Sequence, residues 1–147
     1  MFPEILTEFF ERDLLKMKVE IESYPDENKL WIIKEGISNS GGNLCLHIIG
    51  NLKHFIGVTL SNTGYVRQRD DEFALKNIAR SELLKQLDAT IAVVNKTLPG
   101  LSEKDLIKNY PLEKYGKTVT TGYMLLHLLA HLNYHLGQVN YHRRLVS

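Results

Sequence analysis

The last long stretch of the chain, Thr121–Val146, constrains the fold most because it carries four histidines at helical intervals. The intervals between them are four, four and seven residues. At 3.6 residues per turn, these intervals place side chains along one side of a helix, so the stretch predicts one long helix with a row of imidazoles. The four members are His127, His131, His135 and His142. Either the row serves packing, or two of its members bind one metal ion.

Three further stretches predict helices because apolar residues recur in them at helical intervals. They span residues 3–23, 43–60 and 75–98, and Ser81 is the predicted N-cap of the third. In the first helix, the predicted inward stripe consists of Ile5, Phe9, Leu15 and Val19, with Leu6 and Phe10 close by. The polar residues 61–73 predict a solvated loop. Residues 101–120 predict a short hairpin or an extended segment, because Pro111 interrupts a helix.

Four amphipathic helices with little strand between them predict an all-α helical bundle, formed as a single domain over residues 1–147. A net charge of +1 argues against a broad basic surface for nucleic acid. No uninterrupted apolar run of about 20 residues is present, so no membrane span is expected. The acidic N-terminal region is unlike a signal peptide, and a single cysteine fits a reducing compartment, so a cytoplasmic location is expected.

The spacing of the histidines also suggests a metal site. Two neutral imidazoles four residues apart on a helix can bind one ion, and the second helix offers His47 or His54 as a third ligand. Three protein nitrogens would leave coordination positions open for water or a substrate. A di-iron site is disfavoured because no histidine has an acidic residue three positions before it. The residues by themselves leave packing and metal binding both open.

Two blocks of sequence together resemble the DinB-like superfamily. One is HLNYHLGQ, residues 131–138; the other is HIIGNLKHFIG, residues 47–57, followed by TGYVRQR at 63–69 and EF at 72–73. The pattern looks closest to an uncharacterised DinB-related branch. The resemblance implies a four-helix bundle that binds a divalent metal, often zinc or nickel, through one histidine of the second helix and two of the last. The matching positions are His47, His131 and His135, with His54 as the alternate second-helix ligand.

Characterised members of that superfamily include transferases and isomerases that use low-molecular-weight thiols, and many are homodimers. The resemblance therefore implies a metal-dependent thiol S-transferase or hydrolase acting on a small molecule. A non-catalytic stress-response binding protein and a dimeric structural bundle are the alternatives. Five side chains near the expected ligands are candidates for orienting the ligands or substrate: Asn51, Arg67, Arg69, Tyr134 and Gln138.

Overall fold

The computed structural model describes all 147 residues and is all-α, which confirms the predicted fold class. Two short 3₁₀ turns, Glu27–Trp31 and Leu98–Gly100, lie between helices. The helices are α1 (Phe2–Glu22), α2 (Gly41–Ser61), α3 (Arg69–Ala74), α4 (Arg80–Thr97), α5 (Glu103–Ile107) and α6 (Thr121–Val146). Within α2, the turn Lys53–Val58 is π-helical, so one extra residue is inserted there.

A local side chain caps the N-terminus of three of the six helices. The Ser40 hydroxyl accepts from the backbone N–H of Asn43 and caps α2, and the Thr120 hydroxyl likewise caps α6. The prediction of Ser81 as the N-cap of α4 is wrong, because Ala79 occupies that position. A side chain distant in sequence replaces the missing cap: the backbone N–H of Arg80 donates to a Glu27 carboxylate oxygen at 3.1 Å.

The four long helices surround one apolar core, with α1 and α2 each packed against both α4 and α6. Every residue of Gly41–Leu52 is buried, so α2 is the central helix. No membrane span was expected, because the chain has no uninterrupted apolar run of about 20 residues. By length and composition, however, the helix Gly41–Ser61 is apolar enough to cross a membrane, although most of it is buried inside the protein. Its apolar character is therefore that of a core helix.

The predicted inward stripe of α1 is wrong. Ile5, Phe9, Leu15 and Val19 are 38–59% exposed, and the buried face instead carries Leu6, Phe10, Leu14, Met17 and Ile21. Both sets recur at helical intervals, so the period of 3.6 residues fits either one. Packing against α4 and α6 selects the second set and leaves an apolar stripe on the surface.

The two segments predicted to lack helix each contain a short one. The region predicted to be a solvated loop, residues 61–73, contains most of α3, which packs against α2 and buries Glu72. The first part of residues 101–120 forms the short helix α5, contrary to the prediction, and the rest is extended and hairpin-like, as predicted, with isolated antiparallel bridges between Asn109 and Thr120 and between Lys114 and Lys117. The correction at α3 matters because that helix supplies part of the site.

Candidate metal centre

Three histidine rings from two helices meet at one point between α2 and α6. Nε2 of His131 lies 3.1 Å from Nε2 of His47 and 3.1 Å from Nε2 of His135. All three ligand atoms lie within 4.8 Å of one another, and no other group of three potential ligands comes together in this way. The four-residue interval on α6 places His131 and His135 on one face, and the packing of α2 against α6 supplies His47.

The separations fit a single bound ion. Two nitrogens that bind one zinc ion at 2.0–2.1 Å in tetrahedral geometry are about 3.3 Å apart. The observed contacts of 3.1 Å are close to that value. Three imidazoles in contact cannot satisfy one another with hydrogen bonds alone, because Nε2 of His131 faces two other ring nitrogens at once. A cation at the centre would satisfy all three lone pairs.

Hydrogen bonds on the far side of two rings determine which nitrogen carries the proton. Nδ1 of His47 lies 3.0 Å from Oε1 of Glu72, and Nδ1 of His135 lies 2.6 Å from Oε1 of Gln138. Both oxygens only accept, so each Nδ1 donates and each Nε2 keeps its lone pair. Histidine ligands of metals commonly have such outer partners, which orient the ring and make it a better ligand.

Burial keeps two of the three clustered rings neutral. It lowers the pKa of His131 to about 3, with further contributions from the neighbouring His135 and His47, and burial also lowers the pKa of His135. Both rings are therefore unprotonated near neutral pH, the state that a metal requires. Nδ1 of His131 is buried and has no hydrogen-bond partner, so no outer contact orients this ring as Glu72 orients His47 and Gln138 orients His135.

Glu72 of α3 is the charged member of the site. Arg67 binds it through two hydrogen bonds, Nε to Oε2 at 2.9 Å and Nη2 to Oε1 at 2.9 Å. Burial raises the pKa of Glu72, but the hydrogen bonds from His47 and Arg67 outweigh it and leave this pKa below its ordinary value. The carboxylate therefore stays ionised beside His47.

The sequence profile of a family described as "Protein of unknown function (DUF1572)" matches residues 6–147. The chain belongs to the DUF1572 family. The matched region contains the three clustered histidines together with Glu72 and Gln138, so the whole site lies within the family domain. A search among curated proteins finds no match.

The other three histidines of the DUF1572 protein lie outside the cluster. His54 packs on Phe55, with ring centroids 4.8 Å apart, and lies outside the cluster. Seven residues along a helix correspond to about 10 Å, and the π-helical turn adds a further rotation. His127 lies near Tyr115, and His142 is buried between Tyr24 and the carbonyl of Ile32, so neither joins the cluster.

The five candidate residues for orienting ligands or substrate differ in their contacts. Arg67 is committed to Glu72, and Asn51 is buried with its side-chain oxygen unpartnered. Arg69 lies 5.3 Å from the ring of Phe73, and that ring lies 4.8 Å from the ring of His47. Tyr134 is exposed and packs edge-on against His135 at 5.3 Å. Gln138 binds His135 and is the only one of the five with a direct hydrogen bond to a clustered ring.

The sequence analysis did not include Glu72 among the candidate site residues and missed its contact with His47. The one local indication was Gly50, a residue that costs helix stability in the middle of α2. A Cβ atom at Gly50 would overlap the carboxylate of Glu72, so the glycine makes room for that side chain. The glycine therefore marks a close approach, and the approaching group is a side chain of α3.

Replacing Gly50 by alanine is expected to displace Glu72 and lower the free energy of unfolding by about 1–3 kcal/mol, the usual cost of overpacking. The matched control is Gly137→Ala on α6, where a Cβ atom meets nothing within 4 Å. That change should stabilise the protein by up to about 1 kcal/mol, because alanine favours helix more than glycine does. Urea unfolding of both variants measures the difference. Equal stabilities would show that Gly50 has no steric role.

Proposed function

We propose that this DUF1572 protein binds one divalent metal ion through Nε2 of His47, His131 and His135. The observation that carries the proposal is the convergence of these three nitrogens, two of them with lone pairs directed inward by hydrogen bonds at the opposite ring nitrogen. Neutral imidazoles suit zinc and nickel, which makes these the preferred ions. Three protein ligands leave at least one coordination position for an exogenous molecule.

We further propose that the centre is catalytic and of the DinB-like type, a thiol S-transferase or hydrolase. A zinc or nickel ion bound here would act as a Lewis acid and lower the pKa of a coordinated thiol or water. Glu72 is buried and bound to both Arg67 and His47, so its role is to orient His47 and to balance charge. Of the two arginines, Arg69 is the one free to receive an anionic group of a low-molecular-weight thiol, because Arg67 holds Glu72.

The first test is the metal content of protein purified without a histidine tag. One zinc or nickel ion per chain is expected by elemental analysis after equilibration with the metal and removal of excess ion. A thiol–electrophile conjugation assay with the loaded protein then separates transferase activity from binding alone. Turnover supports the enzyme, and absence of turnover with a full metal complement favours the non-catalytic binding protein. Absence of bound metal would leave only the structural bundle.

A homodimer is the second proposal, and the exposed stripe of α1 supports it. Ile5, Phe9, Leu15 and Val19 lie along the surface beside α6, where shallow grooves run between the two helices. Contiguous apolar surface of this kind on a small protein commonly marks an interface. A second copy of the chain would cover the stripe by a symmetric contact.

Charge introduced into this stripe is expected to prevent dimer formation. Phe9→Lys combined with Val19→Lys should convert a dimer into a monomer in sedimentation equilibrium, because each dimer would then bury four unpaired ammonium groups. Exposed Val66, which is 73% accessible and lies elsewhere on the surface, offers the control Val66→Lys, which should remain dimeric. A wild-type protein that sediments as a 16.9 kDa monomer at micromolar concentration contradicts the proposal.

A further inference from the structure

A cavity of about 450 Å³ lies between the loop that precedes α2 and the C-terminal half of α6. This volume is within the range of small-molecule sites. The lining comes from residues 36–39, Leu44 of α2, and Gln138, Tyr141, His142 and Leu145 of α6. Gln138 follows His135 by three residues, about 4.5 Å along the helix, so the cavity begins one turn beyond a predicted metal ligand.

Gln138 connects the cavity to the metal centre. Its Oε1 accepts from Nδ1 of His135 at 2.6 Å, which determines the orientation of the whole amide. The amide nitrogen is consequently directed away from His135, and its contact is a long one, 3.5 Å to the Tyr134 hydroxyl. A hydrogen bond at that distance is weak, so the amide N–H groups remain able to donate to a stronger acceptor in the cavity.

The lining contains no ionised group. The side chains of Ile37, Leu44 and Leu145 are aliphatic, and the polar side chains of the lining other than His142 are hydroxyls and amides. Nδ1 of His142 accepts from the Tyr24 hydroxyl at 2.7 Å and Nε2 donates to the Ile32 carbonyl at 2.8 Å. Burial lowers the pKa of His142, so the ring is neutral and fully hydrogen-bonded.

The cations nearest to the cavity already have partners in the protein. Nζ of Lys34 donates to the backbone carbonyl of Leu145 at 3.3 Å, and the guanidinium of Arg144 lies 5.2 Å from the ring of Tyr141. Neither side chain lines the cavity. A charged ligand would therefore lose its hydration without gaining a partner of opposite charge, which is costly. An uncharged ligand loses little and can bury its apolar part against the aliphatic side chains.

We infer that this cavity binds an uncharged small molecule that has an aliphatic chain and a hydrogen-bond-accepting oxygen. The chain lies against Ile37, Leu44 and Leu145, and the oxygen accepts from the Gln138 amide. Because the same amide holds Nδ1 of His135, the ligand lies on the side of that ring opposite the metal and contacts the residue that orients a predicted metal ligand. An influence of this molecule on the centre through Gln138 rests on the proposed function, whereas the class of ligand rests on the cavity alone.

Three probes of similar length separate the classes of ligand: hexanamide, hexanoate and hexylammonium. Each is titrated into the full-length, zinc-equilibrated, ¹⁵N-labelled protein and followed by NMR. Hexanamide is expected to bind at least about tenfold more tightly than either charged probe. Loss of one hydrogen bond or desolvation of one charge costs more than about 1.4 kcal/mol, which corresponds to tenfold in affinity. It should also shift the side-chain amide resonances of Gln138. Equal binding of the three probes overturns the inference.

Leu145→Trp is expected to fill the cavity and weaken hexanamide binding at least tenfold. Leu126→Trp is the matched control, because Leu126 is a similarly exposed leucine of α6 (48%, against 51% for Leu145) outside the cavity. Gln138→Leu should weaken hexanamide binding and leave the weak binding of hexylammonium, which has no acceptor oxygen, unchanged. Hexanamide affinity that is unaffected by Leu145→Trp overturns the assignment to this cavity.

Zinc content measured on the same samples separates the two proposals. One zinc ion per chain without selective binding of hexanamide overturns the inference about the cavity and leaves the metal centre intact. Selective binding of hexanamide by protein that takes up no zinc supports the inferred class of ligand. The same result overturns the proposed link between this ligand and a metal centre.

Discussion

His131→Ala is expected to abolish stoichiometric zinc binding. His131 is the central ligand, since its Nε2 contacts both of the other clustered nitrogens at 3.1 Å. Loss of an outer hydrogen-bond partner of a metal ligand typically weakens affinity by about 10–100-fold, and loss of the ligand itself should exceed that range. At free zinc about 100 times the wild-type dissociation constant, the metal should stabilise the wild type by about 2.7 kcal/mol and the variant by almost nothing. Competition with a chromogenic chelator and thermal unfolding measure the two effects.

The variant should still fold without metal, because the alanine removes a ring whose buried Nδ1 has no partner. Two matched controls are available. His127→Ala removes the histidine one turn earlier on α6, and His54→Ala removes the alternate second-helix candidate, and both lie outside the cluster. Both controls should bind one zinc ion per chain as the wild type does. Wild-type affinity in His131→Ala, or loss of zinc in His54→Ala, would contradict the proposed ligand set.

Glu72→Gln is expected to destabilise the fold and weaken the metal centre together. The buried carboxylate accepts from Nδ1 of His47 and from two nitrogens of Arg67, and a neutral amide cannot accept from all of these donors. Loss of one partner from a buried ion pair costs about 3–5 kcal/mol. Loss of the outer partner of His47 should also weaken zinc binding by about 10–100-fold. Urea unfolding of the metal-free protein and chelator competition measure these changes separately.

The pH dependence of this effect has a definite sign. Folding lowers the pKa of Glu72 from its ordinary value of 4.5, so the ionised carboxylate stabilises the fold above that pH. The contribution is lost as the pH falls through the lower pKa of the folded state. The stability difference between wild type and Glu72→Gln should therefore be complete at pH 7 and shrink below about pH 4.5.

Asp71→Asn is the control, since Asp71 neighbours Glu72 on α3 but is exposed. A surface carboxylate of this kind contributes within about 0.5 kcal/mol, at any pH. Should Glu72→Gln match Asp71→Asn in stability and in zinc affinity, the role assigned to the buried carboxylate would be wrong.

Local sequence patterns predicted much of the helical structure. The interval of His131 and His135 fixed their common face before any tertiary contact was known, and the Thr120 hydroxyl caps α6 through a backbone N–H only three residues away. These features depend on neighbours three or four residues away, which a helix alone brings together. The pairing of His47 with them was implied by family resemblance, since no local pattern can join residues 84 positions apart.

The sequence-based predictions failed where two different structures fit the same local sequence pattern. On α1, the stripe that begins at Ile5 and the one that begins at Leu6 are both apolar at helical spacing, and the other helices cover only the second. In residues 61–73, charged side chains resemble a solvated loop, yet α3 buries Glu72 against α2. A charge is buried at low cost only when partners from elsewhere in the chain reach it, and sequence does not show those partners.

The sequence by itself determined an all-α chain, the approximate extents of its long helices, and the shared face of His131 and His135, because these follow from backbone geometry over a few residues. The tertiary structure decided which face of α1 is inside, that Glu72 rather than solvent meets Arg67 and His47, and that a neutral cavity adjoins Gln138. Each of these is a contact between segments far apart in the chain, where burial and mutual pairing, rather than local periodicity, set the free energy.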